Sequence, residues 1–142
     1  MSKIVVGVDG SPGSRAALRW AYEEARIRKC ALDVVAVWQF SMMTSLPAFG
    51  AMPPPDDLSG EAEGALDRAL AEEGVVSTDD VQVTTVVTEG AAAPVLLESA
   101  ADADLLVVGN RGHGGFAGLL LGSVSQQCTS HAGCPVVVVR TD

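Results

Sequence analysis

The chain of 142 residues is poor in cysteine, histidine and basic residues, and each shortage argues against a class of protein. Three cysteines without a C-x-x-C pair, together with two histidines, offer no ligand spacing typical of a zinc site. The odd number of cysteines is typical of free thiols in a reducing compartment. Nine basic residues against eighteen acidic ones leave a net charge of −9, which argues against sequence-independent binding of nucleic acid.

Long hydrophobic runs are missing as well. No apolar stretch reaches the roughly 20 residues of a membrane-spanning helix, and the apolar run at the amino terminus is too short for a signal peptide. We therefore expect a cytoplasmic protein without a membrane partner. Hydrophobic residues nevertheless make up 48% of the chain, which is typical of a globular protein. The length favours one domain, residues 1–142.

Short apolar runs alternate with helical patterns along the chain. Five mostly β-branched runs predict the strands Lys3–Val8, Leu32–Val37, Val81–Val87, Leu105–Val108 and Val136–Val139. The predicted helices are Ser14–Lys29, Leu58–Glu73, Ala92–Ala101 and Ser123–His131. This alternation predicts an α/β protein with a parallel sheet, right-handed crossovers and helices on both faces. The aperiodic segment Gln39–Asp57 predicts a long loop, either a binding element or a tolerated insertion.

A glycine-rich stretch after the fourth predicted strand is the most informative feature. It runs Gly109-Asn110-Arg111-Gly112, then nine residues, then Gly122-Ser123-Val124-Ser125. A helix can begin at Gly122 or Ser123, because Ser123–Gln126 has the form of a capping box. Glycines let backbone N–H groups approach an anion, and the dipole of a helix favours negative charge at its amino terminus. Together with the cation of Arg111, this pattern predicts a phosphate site of a nucleotide.

Asp9 follows the first predicted strand. If that strand is central, Asp9 lies at the same sheet edge as the glycine-rich loop, because ligands of open α/β sheets bind at the carboxyl ends of strands. Its carboxylate then accepts a hydrogen bond from a ribose hydroxyl or helps to hold a metal. The alternative is a turn residue that caps the first helix, and the two roles are compatible.

Catalytic motifs are scarce. The sequence contains no G-x-S-x-G elbow for a serine triad and no G-x-x-x-x-G-K-[ST] loop. His113 faces either a phosphate or solvent. Fast hydrolysis of a nucleotide also needs a base that positions water, and no residue is evident for that role. Binding is therefore better supported than turnover.

The full spacing G-x2-G-x9-G-[ST], formed by Gly109, Gly112, Gly122 and Ser123, resembles that of the ATP-binding class of the universal stress protein family. Ile4–Ser11, Leu105–Gly109, Leu121–Ser125 and His131–Val139 also look like family signatures. The resemblance implies a Rossmann-like adenine nucleotide-binding fold. Its five-stranded parallel sheet has the order 3-2-1-4-5, and ATP, with Mg²⁺, binds at the strand ends.

The resemblance also implies roles for individual residues. Asp9 would meet the ribose, Val8 and Val37 would flank the adenine, and Val108 and Gly109 would line the ribose side. The phosphates would be held by Gly112, Gly122, Ser123, Val124 and Ser125. Cys128 departs from the family pattern, which leads us to expect an aliphatic residue there.

The resemblance further implies a homodimer through Pro135–Val139. The function it implies is that of a nucleotide-dependent regulatory protein of the stress response. The alternatives are a slow Mg²⁺-dependent ATPase or nucleotidyl enzyme, and a purely structural dimer with a vestigial site.

Overall fold

A computed structural model describes residues 2–38, 55–110 and 122–141, with the backbone alone for residues 55–59. The strands are β1 (Lys3–Val8), β2 (Ala31–Trp38), β3 (Val83–Glu89), β4 (Leu105–Gly109) and β5 (Val136–Val139). The helices are α1 (Pro12–Arg28), α2 (Pro55–Glu73), α3 (Ala92–Ser99) and α4 (Ser123–His131). All nine predicted elements are confirmed in type and order. None of the described helices is long and apolar enough to span a bilayer.

The predicted bounds differ from the structure mainly where polar side chains form turns. The predicted third strand began at Val81, but Val81 belongs to a turn in which its carbonyl accepts from the Thr78 N–H at 2.8 Å. Its N–H donates to the Thr78 hydroxyl at 3.1 Å, so pairing in β3 starts at Val83. Residues 39–54 of the predicted loop lie outside the described residues. The last three loop positions belong to α2, whose first residue is a proline, which suits a first helical turn.

All strand pairs are parallel, and the sheet has the order β3-β2-β1-β4-β5. This result confirms the predicted α/β fold with β1 in the centre. Val6, in the middle of β1, pairs with Val34 of β2 and Val107 of β4. Continuous valine and leucine runs suit these central strands because helices cover both of their faces.

Each face of the sheet has its own core. Ile4 and Val6 of β1 point toward α1 and α2, where Leu18 and Leu66 pack against them. Val5, one residue out of phase, points to the opposite face with Leu96 of α3 and Cys128 of α4. The alternation follows from the two-residue period of a strand. Cys128 is fully buried, so its thiol occupies an aliphatic position, as a small apolar side chain can.

Polar contacts join α1 to the carboxyl end of α2. Arg15 pairs with Glu72, and Arg19 Nη1 lies 2.7 Å from Glu73 Oε1. The Tyr22 hydroxyl donates to the Val76 carbonyl at 2.8 Å, just beyond α2. Glu72 and Glu73 stand in the last turn of α2, where negative charge opposes the helix dipole, and the arginines of α1 offset it.

Candidate functional site

The carboxyl ends of β1 and β4 lie side by side at the centre of the sheet. The chain leaves β1 toward β2 and leaves β4 toward β5, on the other side, so the strand order reverses between them. In open α/β sheets such a reversal opens a crevice at the carboxyl edge. Helices α1 and α4 both begin at this edge.

A tight hydrogen-bonded turn follows β1. Asp9 Oδ1 accepts from the Ser11 N–H at 2.9 Å, and the Asp9 N–H donates to the Ser14 hydroxyl at 3.1 Å. Ser11 is the N-cap of α1, and its hydroxyl accepts from the Ser14 N–H. The alternative role of Asp9 as a turn residue is confirmed, but Asp9 does not cap the first helix, since Ser11 fills that position. Gly10 adopts a φ of +84°, a conformation that favours glycine, and leaves open space beside Asp9.

The amino terminus of α4 has no side-chain cap. The N-cap is Gly122, whose carbonyl accepts the first helical hydrogen bond, from the Gln126 N–H at 2.9 Å. The predicted capping box is therefore wrong, because Ser123 is already the first helical residue. Among the described residues, Gly122 supplies no side-chain acceptor to the free N–H groups, and the Ser125 hydroxyl donates back to the Gly122 carbonyl at 3.0 Å. The N–H groups of Ser123, Val124 and Ser125 consequently have no partner within the helix, which is the geometry of an anion site.

The other two described helices that follow a strand, α1 and α3, differ from α4 at their amino termini. The Ser11 hydroxyl caps α1, and so one of its free N–H groups is already satisfied. Helix α3 also starts without a side-chain cap, at Ala91, but its third residue is Pro94, which has no N–H to offer. Among the described helices that begin after a strand, α4 therefore presents the fullest set of backbone donors.

Asn110 is the residue that sequence reasoning missed. It follows β4 directly and is 4% exposed. Its carbonyl accepts from the Gly122 N–H at 2.6 Å and from the Ser125 hydroxyl at 3.1 Å. The Ser125 hydroxyl is thus turned toward the loop backbone, and the main-chain N–H of Ser125 has no partner outside the helix among the described residues. A polar residue between the motif glycines and directly after a buried strand was the available signal.

The apolar residues predicted to flank the base and to line the ribose side do not all share one face. Val8 belongs to the core beneath α1, whereas Val108 belongs to the core beneath α3 and α4. Val37 packs against that second core, so Val8 and Val37 point to opposite faces of the sheet. Gly109 lies against the first turn of α1. Arg111, Gly112 and His113 lie outside the described residues.

A cleft of about 380 Å³ opens beside Gly10, on the side of the sheet that α1 and α2 cover, and is lined by Gly10, Pro12, Arg15, Arg19 and Glu73. Its two arginines are already paired with glutamates of α2. Across residues 2–38, 55–110 and 122–141 no cluster of three or more acidic, histidine or cysteine side chains could hold a metal ion.

Sequence comparison identifies relatives over the whole chain. Residues 1–140 match the universal stress protein family. A universal stress protein of Mycobacterium tuberculosis is 35% identical over 145 residues, which cover 98% of this chain and 48% of the relative. One of Mycolicibacterium smegmatis is 37% identical over 141 residues and 96% of this chain, but only 45% of its own length. The chain thus spans about half the length of the curated relatives it matches.

Solved structures show the same architecture. A universal stress protein in complex with cAMP has a TM-score of 0.70 at 29% identity and covers 99% of this chain and 98% of its own. UspA from Lactobacillus plantarum has a TM-score of 0.77 at 22% identity, and the match covers 98% of this chain and 97% of UspA. A family protein from Arabidopsis thaliana with AMP bound has a TM-score of 0.60 at 21% identity, and the match covers 100% of this chain and 93% of the Arabidopsis chain. By sequence family, identity and fold together, the chain belongs to the universal stress protein family.

Proposed function

We propose that the chain binds an adenine nucleotide, ATP, at the carboxyl edge between β1 and β4. In this proposal the protein is a nucleotide-dependent regulator of the stress response in the cytoplasm. The observation that carries the proposal is the uncapped amino terminus of α4, with three consecutive backbone donors at the point where the strand order reverses. The cAMP complex of a relative at 29% identity supports an adenine nucleotide as the ligand.

The phosphates occupy the amino terminus of α4 in this proposal. They accept from the N–H groups of Ser123, Val124 and Ser125, and the missing side chain of Gly122 allows the approach. Arg111 and Gly112 complete the phosphate site. Charge-assisted hydrogen bonds of this kind contribute about 1.5–3 kcal/mol each. A few of them, with burial of the base, reach the roughly 8 kcal/mol of micromolar affinity.

The nucleoside lies against the ends of β1, β2 and β4. Asp9 is braced by the Ser11 N–H through one carboxylate oxygen, which orients the carboxylate for a ribose hydroxyl. Because Val8 and Val37 point to opposite faces, the base lies beyond the strand ends and not on either face. Val108 and Gly109 border the ribose from the β4 side.

Mg²⁺ fits this site only as a companion of the nucleotide. The described residues contain no three-ligand cluster, so the phosphate oxygens would supply most of the ligands of the ion. Asp9 is the carboxylate of the proposed site that could supply a further ligand. Such coordination is common for Mg²⁺, which keeps several waters and binds through one or two carboxylates plus phosphates. The ion would neutralise phosphate charge.

A homodimer through Pro135–Val139 is also part of the proposal. Strand β5 is the edge strand next to β4, and all four of its valines are half-buried. An apolar edge strand with one unpaired side favours association with another strand.

Calorimetric titration with ATP, ADP, AMP and cAMP tests the site. We expect micromolar binding of ATP by the wild type and none by Gly122→Val, because a branched Cβ blocks the approach of a phosphate. Gly133→Val is the matched control, since a Cβ at Gly133 meets nothing within 4 Å. Equal affinity in both variants, or no binding by the wild type, contradicts the proposal. Release of phosphate from Mg·ATP at more than a trace rate would favour the ATPase alternative.

A further inference from the structure

Asn110 joins three parts of the fold through one buried residue. Its N–H donates to the carbonyl of Val139, the last residue of β5, at 2.9 Å. Its side-chain Oδ1 accepts from the Thr141 N–H, two residues farther on, at 3.2 Å. Its carbonyl holds the Gly122 N–H and the Ser125 hydroxyl at the start of α4. The end of β4, the exit of β5 and the start of α4 therefore meet at Asn110.

The side chain and the backbone of Asn110 have different tasks. The hydrogen bonds to Val139 and Gly122 use the backbone N–H and carbonyl, so residues other than asparagine could also form them at this position. The bond from Thr141 needs an acceptor on a short side chain, which asparagine supplies. Because the side chain is buried and its Oδ1 is held by the Thr141 N–H, it restricts the peptide plane whose carbonyl receives the Gly122 N–H. Hydrogen bonds in such a buried network reinforce one another.

We propose that Asn110 is a positioning residue that orients the amino terminus of α4 through its bond to Thr141 and couples this terminus to the exit of β5. The inference rests on the proposed function in that α4 is the phosphate site. A phosphate binds best to N–H groups that already converge, because ordering them on binding costs affinity. The Asn110 side chain holds that arrangement before the ligand arrives.

Coupling of this kind works in both directions. If the order of the β5 exit strengthens nucleotide binding, then nucleotide binding stabilises the β5 exit by the same factor. We therefore expect ATP to slow hydrogen exchange at the Thr141 amide, although Thr141 itself touches no ligand in the proposed site. Because β5 is the edge strand, nucleotide binding at α4 would thereby also affect the order of the proposed dimer surface.

Variants on both sides of the bond test the inference. Asn110→Ala removes the acceptor, and Thr141→Pro removes the donor while Asn110 stays intact. Thr141→Ala keeps the amide and is the matched control. We expect Asn110→Ala and Thr141→Pro each to weaken ATP binding about two- to tenfold, the equivalent of one hydrogen bond. The double variant loses no more than the stronger single variant, because both changes break one interaction. Thr141→Ala binds like the wild type.

Hydrogen exchange without nucleotide gives an independent readout. The Gly122 amide should exchange faster in Asn110→Ala and Thr141→Pro than in Thr141→Ala. The Leu32 amide, which donates to the Gln82 carbonyl across the sheet at 2.9 Å, serves as the unaffected reference. An unchanged rate at Gly122 overturns the inference. So does a lower thermal stability of both variants with unaltered ATP affinity, which is the result of a purely structural role.

The two proposals fail in different ways. If the wild type binds no adenine nucleotide but exchange at Gly122 still accelerates in both variants, the proposed function is wrong and the positioning of α4 by Asn110 stands. If the wild type binds ATP and neither variant changes affinity or exchange, the site stands and the positioning role is wrong.

Discussion

Gly109, the last residue of β4, lies directly against Gly13 in the first turn of α1. A Cβ built on Gly109 would stand 2.7 Å from the Gly13 carbonyl carbon and 2.8 Å from its oxygen. These neighbours are backbone atoms, which cannot turn aside as the end of a side chain can. The contact joins the end of β4 to the first turn of α1 beside the candidate site, and it depends on the missing side chain of Gly109.

We expect Gly109→Ala to destabilise the protein by about 1–3 kcal/mol, the usual cost of forcing an extra carbon into a packed region. Urea unfolding followed by circular dichroism measures the change in the free energy of unfolding. Gly133→Ala is the control, because a Cβ there meets nothing within 4 Å. Equal stability of the two variants would show that α1 moves away from β4 without cost.

The role of Gly109 illustrates what the sequence predicts and what it does not. The apolar runs and their spacing predict all nine elements, since the periods of strand and helix are local properties of the chain. The family resemblance adds the order of the sheet. Packing of Gly109 on Gly13 brings together residues 96 positions apart, and no local pattern indicates it. The same holds for the bond from Thr141 to Asn110, which joins β5 to the site.

Caps and turns were the least predictable local features. Ser123 satisfies the capping-box pattern with Gln126, yet Gly122 is the cap, because the Asn110 carbonyl holds the Gly122 N–H and fixes where the helix begins. The predicted end of helix α4 at His131 is confirmed, and Ala132 beyond it has an extended backbone. At the start of α4 the contact with Asn110, directly after β4, determines the terminus, and the short-range pattern does not.

Gly122→Ser should move stability and nucleotide affinity in opposite directions. The N-cap has extended angles, φ −74° and ψ 171°, which a serine adopts easily. Its hydroxyl would accept a hydrogen bond from one of the free N–H groups of α4 and stabilise the helix by a few tenths of a kcal/mol. The same bond occupies a donor that the proposed phosphate needs, so ATP affinity falls. Thermal unfolding and calorimetry on one sample measure both effects, and a rise in affinity would contradict the phosphate site.

Glu72→Gln tests the ion pair between α1 and α2. The hydrogen bond from Arg15, followed by its charge, lowers the pKa of Glu72 in the folded protein. A lowered carboxyl pKa stabilises the fold above the unfolded-state value, about 4.3, and this contribution is lost as the pH falls through the folded-state value. We expect the wild type to be more stable than Glu72→Gln at pH 7, with the difference decreasing below the unfolded-state pKa and vanishing below the lowered folded-state pKa. The difference also decreases in high salt.

Urea midpoints at neutral and acidic pH, at low and high ionic strength, measure this difference. Asp67→Asn is the control on the same helix, because Asp67 forms no ion pair with any residue that the structure describes. A Glu72→Gln variant that keeps its full deficit at acidic pH would show that the effect is not due to the charge.

Cys134→Ala should abolish thiol labelling of the folded protein. Burial raises the pKa of all three thiols, which disfavours the reactive thiolate. Cys134 is half-buried, whereas Cys30 and Cys128 lie in the two cores and are 3% and 0% exposed. Alkylation at pH 8 followed by mass spectrometry should therefore modify the wild type slowly at Cys134 alone. The Cys134→Ala variant should react only after urea unfolds it, because access to Cys128 requires separation of α4 from the sheet. Rapid labelling of Cys128 in the folded variant would instead show that α4, and with it the candidate phosphate site, detaches from β4 in the native state.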